Sequence, residues 1–374
     1  MGEVRARAGT GYGVRGAPGP SGPAPMGCTS YPVLRTSPKR TGAAGCRFGE
    51  LPRTWAAPPA LWRPAPSGGA GVPHPPPSAL ETLTTVAAMQ AEADAARCAG
   101  RRLALVPTMG ALHDGHLALV RAAREHVGAD GHVTVSVFVN PTQFGPGEDF
   151  DAYPRTLDAD RTALQASGAD VDALFAPEAR EMYPLGLPAL TTVQVAELGR
   201  HLCGASRPGH FDGVTSVVTR LFLACRPHAA VFGEKDAQQL AVLRRMTREL
   251  GFGVEIVPHP IVREKDGLAL SSRNRYLAPV ARAQAAVLSR ALFAASHAAG
   301  QGERDADALR ALMREQIGQA PLARIDYAEI VDADRLQPVR ALAPDGASGG
   351  RYLAALAVFI GETRLIDNVT LRVT

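Results

Sequence analysis

Two histidines, His113 and His116, stand three residues apart at the end of the segment LALVPTMGALHDGH, residues 103–116. The segment has the pattern of an apolar strand, a turn through a glycine, and the start of a helix. That order places both imidazoles above the carboxyl end of a buried strand, where open α/β sheets bind their ligands. Backbone N–H groups and the helix dipole favour an anion there. Both rings could therefore donate hydrogen bonds to a phosphate whose charge grows in a transition state.

The same spacing also fits one turn of a zinc site, or two ordinary surface histidines. Zinc requires three or four nitrogen, sulfur or oxygen ligands at a suitable spacing. The cysteines Cys98, Cys203 and Cys225 are scattered singly, without a C-x-x-C pair. A zinc finger is therefore disfavoured, while phosphate binding and plain surface histidines both stay open.

Two further polar segments could hold phosphate. Lys235, in the run Gly233–Asp236, follows a predicted strand and opens a helix, so its ammonium can neutralise phosphate oxygens as a point charge. Ser271, Ser272 and Arg273 form a turn rich in hydroxyl and guanidinium groups that could clamp a triphosphate. Taken singly, each segment also fits an exposed lysine or a polar loop.

Amide and basic side chains supply candidates for a second ligand. Gln143 and Gln239 offer paired donors and acceptors that suit a hydroxy acid. Arg207 and His210 stand at the start of another predicted helix, which again favours an anion.

Carboxylates close together on one predicted helix suggest a cation. Asp158 and Asp160 could hold Mg²⁺, a hard ion that prefers carboxylate oxygens. The alternative is that both are solvated acids on the helix surface.

Alternating strand and helix patterns must position these residues. Strands are predicted at 103–106, 132–139, 171–175, 229–232 and 254–257, and helices at 84–99, 116–126, 157–167, 211–225 and 236–250. Strands that alternate with helices of this length predict an α/β fold with a Rossmann-like, doubly wound parallel sheet.

The pattern changes beyond about Ile261. Two Ala-rich helices, at 279–299 and 305–319, precede two strands, at 325–331 and 352–360. We expect a smaller C-terminal α+β domain hinged to the first domain near Ile261. Such a hinge would place a ligand between the two domains.

Composition bounds the class of protein. The chain has 374 residues, 46% of them hydrophobic, which is enough for two buried cores. It contains no apolar run long enough to cross a membrane. Five cysteines without framework spacing indicate free thiols in a reducing compartment, so we expect a cytoplasmic protein.

Residues 1–77 differ from the rest of the chain. They hold half of the 30 prolines and carry a net charge of +7, which leaves −3 for residues 78–374. The body therefore gives no electrostatic reason to expect nucleic acid as a partner. Without apolar periodicity the segment is predicted to be a disordered extension. It resembles an organelle leader or a basic tail for nucleic acid or membrane, but we favour a translation start assigned too far upstream.

Five longer motifs occur together in one order: PTMGALHDGH, VFVNPTQFGPGEDFDAYPRT, SRPGHFDGV, FGEKDAQQL and LSSRNRYL. Their residues and their order resemble those of the pantothenate synthetase (pantoate–β-alanine ligase) family, within the H-x-G-H nucleotidyltransferase superfamily. The resemblance runs from about Leu83 to the C terminus, where FIGETRLIDN also fits. It implies a Rossmann-like nucleotide- and pantoate-binding domain over 78–260 and a lid-like domain over 261–374.

The resemblance also implies a two-step reaction. ATP and pantoate form pantoyl adenylate and pyrophosphate, and β-alanine then displaces AMP to give pantothenate. Attack by a carboxylate on the α-phosphate needs positioning and charge neutralisation, without a protein nucleophile. Mg²⁺ bridging the phosphates and a homodimer are further implications, with no nucleic acid or membrane partner.

Roles follow for the matching positions of this chain. His116 would be the proton donor, acting with His113, Lys235 and Arg273. The ATP site would comprise Met109, Gly110, His113, Gly115, His116, Gly233, Glu234, Lys235, Asp236, Val262, Leu270, Ser271, Ser272 and Arg273. Asn140, Gln143 and Gln239 would bind pantoate, with Arg207 and His210 near the second step. Asp158 and Asp160 would be the metal acids.

Three positions depart from the family pattern. Cys203 stands where some members have Glu, so no carboxylate role is carried over there. Leu270 replaces a common Met, and Ala159 stands where others have a third Asp, which weakens the metal assignment. A different H-x-G-H nucleotidyltransferase is the rival enzyme, but its phosphorylated acceptor would need a basic pocket where this chain has two glutamines. A nucleic-acid-binding protein that uses the basic tail is the rival outside enzymes.

Overall fold

The computed structural model describes residues 80–373. The predicted extension over residues 1–77, with its alternative roles, lies outside the described residues. No helix within 80–373 has the length and apolarity needed to span a membrane.

A parallel sheet forms the centre of the first part of the fold. Its strands are β1 (Glu81–Leu83), β2 (Leu103–Thr108), β3 (His132–Val137), β4 (Ala173–Phe175), β5 (Ala229–Gly233) and β6 (Glu255–His259). Their order across the sheet is β1-β4-β3-β2-β5-β6, and every pair is parallel. The predicted doubly wound α/β class is therefore confirmed. β1 was not predicted, because three residues on the sheet edge carry too little periodicity.

Helices cover both faces of this sheet. The helices of this part of the chain are α1 (Val86–Cys98), α2 (Asp114–Val127), α3 (Leu157–Ala166), α4 (Ala179–Met182), α5 (Cys203–Ser206), α6 (His210–Cys225) and α7 (Ala237–Glu249). Alternate residues of β2 serve the two faces, as strand geometry requires. Leu103 and Leu105 pack with α1, α6 and α7, while Ala104 and Val106 pack with α2 and α3.

The C-terminal part has a second core. Its helices are α8 (Pro279–Ala285), α9 (Val287–Gly300) and α10 (Ala306–Gly318), and its strands are β7 (Ala323–Asp332), β8 (Arg351–Ile360) and β9 (Thr363–Arg372). The strands form an antiparallel sheet in chain order, backed by α9 and α10. The smaller α+β part is thus confirmed, with β9 as an unpredicted third strand. The helix predicted over 279–299 is broken at Ala286. We propose a domain boundary near Ile261, just after β6.

Candidate active site

A cavity of about 250 Å³ opens at the carboxyl edge of the parallel sheet. Most of the residues predicted to bind ATP or substrate line it. These are Met109, His113, Gly115, His116, Gln143, Arg207, His210, Gly233, Lys235, Asp236, Gln239, Val262, Leu270, Ser271, Ser272 and Arg273. Gly110, Glu234, Asn140, Asp158 and Asp160 do not line it.

The two histidines form the first turn of α2. His113 is the N-cap residue, and its Nδ1 accepts a hydrogen bond from the Gly115 N–H at 3.2 Å. His116 Nδ1 accepts from the His113 N–H at 3.4 Å, and the ring centroids lie 4.0 Å apart. Since each Nδ1 is an acceptor, each neutral ring carries its proton on Nε2. The helix start thus supplies two imidazole Nε2–H donors beside the cavity.

Burial and neighbouring cations keep both rings neutral. Burial, then His113 and Lys235, lower the pKa of His116 to about 3. Burial, then Lys235 and Arg275, lower the pKa of His113 to about 4. Near neutral pH both residues are therefore hydrogen-bond donors rather than imidazolium ions. A phosphate bound against them would raise these pKa values, because it favours the charged form.

Lys235 is held in place from the C-terminal sheet. It lies in a short 3₁₀ turn, Glu234–Asp236, between β5 and α7. Asn368 on β9 donates from Nδ2 to the carbonyl oxygens of Glu234 and Lys235, both at 2.9 Å. The neighbouring Asp367 accepts from Arg263 at 2.6 and 2.9 Å. The last strand therefore fixes both the lysine turn and the segment that links the two sheets.

Two acidic residues that the sequence analysis does not single out form ion pairs with the two arginines predicted to bind anions. Arg273 donates to the carboxylate of Asp149 at 2.8 and 3.0 Å. Arg207 donates to the carboxylate of Glu148 at 2.6 and 2.7 Å. An incoming anion must therefore exchange with a carboxylate. The two adjacent acids in the segment FGPGEDF, residues 144–150, are the sequence feature that could have indicated these ion pairs.

Arg207 also fixes His210. Its Nη1 donates to His210 Nε2 at 3.0 Å, and His210 Nδ1 donates to the Gln143 carbonyl at 2.8 Å. Burial, followed by Arg207, lowers the pKa of His210 to about 4. With both ring nitrogens engaged, His210 holds the loop that carries Gln143.

Asn140 shapes the same loop from within. Its side chain is almost fully buried, and its Nδ2 donates to Gln143 Oε1 at 3.0 Å. Its Oδ1 accepts from the Tyr183 hydroxyl at 2.6 Å. Asn140, which is predicted to bind pantoate, thus holds the Gln143 side chain and does not itself line the cavity. Gln143 and Gln239 reach the cavity.

The two predicted metal acids do not form one site. The side chain of Asp158 is 92% exposed and pairs with Arg161 at 3.1 Å. Asp160 is buried, and its carboxylate accepts from the backbone N–H groups of Ala111 and Leu112. No cluster of three or more His, Cys, Asp or Glu suited to a metal occurs in residues 80–373. These residues do not fit a protein-held magnesium site.

Cys203 lies beside a larger cleft between the two sheets. Its Sγ is 3.2 Å from the Tyr327 hydroxyl and 3.7 Å from Arg364 Nη2. The cleft, about 690 Å³, is lined by Lys235 and Arg273 on one side and by residues of the C-terminal sheet on the other. The cleft thus lies between the two sheets.

A parallel α/β sheet whose carboxyl edge gathers two neutral histidines, a lysine and a serine–arginine turn is the framework of a nucleotide-handling enzyme. The family model described as Pantoate-beta-alanine ligase matches residues 81–370. The chain belongs to that family, and it is an ATP-dependent ligase.

Relatives of known name agree with this assignment. The pantothenate synthetase of Salinibacter ruber is 58% identical over 79% of this chain and 98% of its own length. That of Moorella thermoacetica is 53% identical over 79% and 99%. The crystal structure of pantothenate synthetase from Thermus thermophilus superposes with a TM-score of 0.69, at 48% identity over 78% of this chain and 99% of its own. The Francisella tularensis pantoate-beta-alanine ligase, complexed with β,γ-ATP and β-alanine, has a TM-score of 0.61 at 29% identity, covering 78% and 97%.

Proposed function

We propose that this protein condenses pantoate with β-alanine at the expense of ATP, through a pantoyl adenylate, releasing pyrophosphate and AMP. The observation that carries the proposal is the pair of neutral Nε2–H donors at the start of α2, facing a cavity shared with Lys235. Family membership supplies the substrates.

In the first step a carboxylate oxygen of pantoate attacks the α-phosphorus of ATP. The bond from that phosphorus to the bridging oxygen breaks, and pyrophosphate leaves with the electron pair. Negative charge grows on phosphate oxygens throughout. The Nε2–H groups of His113 and His116 and the ammonium of Lys235 suit these oxygens, because preorganised donors stabilise developing charge without reorganising. Arg273 is available once Asp149 releases it.

In the second step the amine of β-alanine attacks the acyl carbon of the adenylate. The C–O bond to AMP breaks, AMP leaves with the electron pair, and the amine gives a proton to solvent water as the amide forms. Gln143 is fixed for this step by Asn140 and His210, and Arg207 lies beside them. The protein contributes positioning here, which alone can supply a large part of a barrier reduction.

Three further proposals rest on the family resemblance. We propose that Mg²⁺ would be held mainly by the phosphates of ATP and would neutralise part of their charge, as is common for this ion. We also propose a homodimer and a cytoplasmic location. Sedimentation equilibrium of the full chain tests the dimer, and a monomer at micromolar concentration would exclude it.

The order of product release tests the reaction. Enzyme with ATP, Mg²⁺ and pantoate is expected to release pyrophosphate without β-alanine, and AMP only once β-alanine is added. Pyrophosphate that appears only with β-alanine would exclude the separate adenylate step. Activity with a phosphorylated acceptor but not with pantoate would instead favour the rival nucleotidyltransferase.

A further inference from the structure

The loop that precedes His113 has an unfavourable backbone. Gly110 and Ala111 both have positive φ, at 83° and 51°. A left-handed conformation suits glycine but costs energy at alanine. Ala111 is buried and cannot gain hydrogen bonds from water, so another part of the fold must hold this turn.

Asp160, on α3, holds it. The residue is only 3% exposed, and its Oδ2 accepts from the Ala111 N–H at 3.1 Å. Its Oδ1 accepts from the Leu112 N–H at 2.8 Å, and the Thr156 hydroxyl lies 3.3 Å from the same oxygen. A buried carboxylate is tolerated when its oxygens are hydrogen-bonded in this way.

The contact leads directly to the histidines. Leu112 immediately precedes His113, whose backbone N–H in turn holds the His116 ring. A Cβ atom on Gly110 would lie 3.0 Å from Asp160 Oδ2, so the loop and the carboxylate are closely packed. Two N–H groups in succession thus fix where α2 begins. Misplacement of reacting groups by about 1 Å can cost a hundredfold in rate.

We propose that Asp160 is a positioning residue for the adenylate-forming step. It acts through the Gly110–Leu112 loop on His113 and His116, and not through a metal ion. The proposal rests on the proposed function. Asp158, two residues earlier on the same helix, is exposed and makes no such contact, so it provides a matched control.

The test compares Asp160→Asn with Asp158→Asn. Asparagine keeps the shape of the side chain but turns an NH₂ group toward one of the two N–H donors. We expect kcat for pyrophosphate release to fall about tenfold to a hundredfold in Asp160→Asn. The Mg²⁺ concentration for half-maximal rate should be unchanged, and Asp158→Asn should match the wild type in both. Ring ¹H–¹³C signals of His113 and His116 should shift in Asp160→Asn alone.

A milder variant covers the case in which Asp160→Asn does not fold. Thr156 caps α3 without a side-chain bond to the helix backbone, and its hydroxyl contacts the Asp160 carboxylate. Thr156→Val should therefore lower kcat by about twofold to tenfold, which corresponds to the net contribution of one ordinary hydrogen bond.

Several results would overturn the proposal. A higher Mg²⁺ requirement with an unchanged kcat at saturating Mg²⁺ would make Asp160 a metal ligand. Wild-type rates and unshifted histidine signals in Thr156→Val and Asp160→Asn would remove its positioning role. Absence of pyrophosphate release by the wild type would contradict the proposed function instead, while the histidine signals would still report on the loop.

Discussion

The two edges of the parallel sheet carry similar residues in opposite roles. At the amino edge His132 is fully buried, and Asp172 pairs with both Arg101 and Arg124. Asp172 also accepts from the Val133 N–H at 2.8 Å. At the carboxyl edge, histidines and a lysine line a cavity. Histidine, cation and carboxylate are thus present at both ends.

What differs is access and the direction of the helices. Helix N-termini, with their partial positive charge, meet the carboxyl edge at α2 and α7, whereas α1 and α6 end at the amino edge. Both ring nitrogens of His132 lack a hydrogen-bond partner but are sealed from solvent. His113 and His116 present Nε2–H groups beside open space. The presence of a histidine therefore indicates a binding site only where a ligand can reach its N–H donor.

The largest expected effect on stability is at the amino edge. Asp172→Ala leaves Arg101 and Arg124 without their carboxylate. The substitution breaks two partly exposed ion pairs, worth about 0.2–1 kcal/mol each, and the hydrogen bond from the Val133 N–H to a charged carboxylate, worth about 1.5–3 kcal/mol. The free energy of unfolding should therefore fall by roughly 2–4 kcal/mol. Urea denaturation measures it, with exposed Asp130→Ala as control. The folded variant should keep its kcat. A loss of kcat alongside the loss of stability would contradict the idea that the amino edge affects stability and not catalysis.

Lys235→Ala tests the carboxyl edge. Removing one preorganised group from a developing charge typically costs about 2.7–4 kcal/mol, so pyrophosphate release should slow about a hundredfold to a thousandfold. The second step, started from supplied pantoyl adenylate, should suffer less, because pyrophosphate has already left. Lys265, exposed in the segment between the sheets, gives the control Lys265→Ala. Unfolding of the variant, or equal damage to both steps, would contradict the assigned role.

The pH dependence of stability separates sealed from accessible histidines. Burial lowers the pKa of His132 to about 4, below the ordinary value of 6.5. The unfolded chain therefore binds more protons than the folded protein between these two pH values. The contribution of His132 to the free energy of unfolding is complete above about pH 6.5 and is lost as the pH falls toward 4. His132→Phe should reduce the slope of unfolding free energy against pH there by up to about 1.4 kcal/mol per pH unit. A slope in His132→Phe equal to that of the wild type would refute the sealed-histidine interpretation.

The smallest effect concerns the exchange of anions. Asp149→Asn removes the carboxylate that occupies Arg273, so ATP no longer has to displace it. A partly exposed ion pair is worth about 0.2–1 kcal/mol, which predicts a KM for ATP lower by about 1.4-fold to fivefold. Asp151→Asn, on the same loop, is the control. A raised KM would mean that Asp149 supports the bound state instead of competing with it.

The histidine-bearing turn and the alternating elements were predictable because they are local. Apolar spacing along ten to fifteen residues is enough to distinguish a strand from a helix, and His113 lies at the predicted junction. β1 was missed because it is three residues long, and β9 because its residues alternate weakly. The break at Ala286 was not predicted, because the apolar pattern of the helix continues unchanged across it.

The roles of the charged residues required the tertiary structure. Asp149 and Arg273 are 124 residues apart, Asp160 and Ala111 are 49 apart, and Asn368 and Lys235 are 133 apart. Local periodicity carries no information about such pairs. The sequence by itself determined the fold class, the family and the residue types at the carboxyl edge. Only the folded chain decided that Asp160 holds a loop rather than a metal, since a carboxylate takes its role from the donors that packing brings to it.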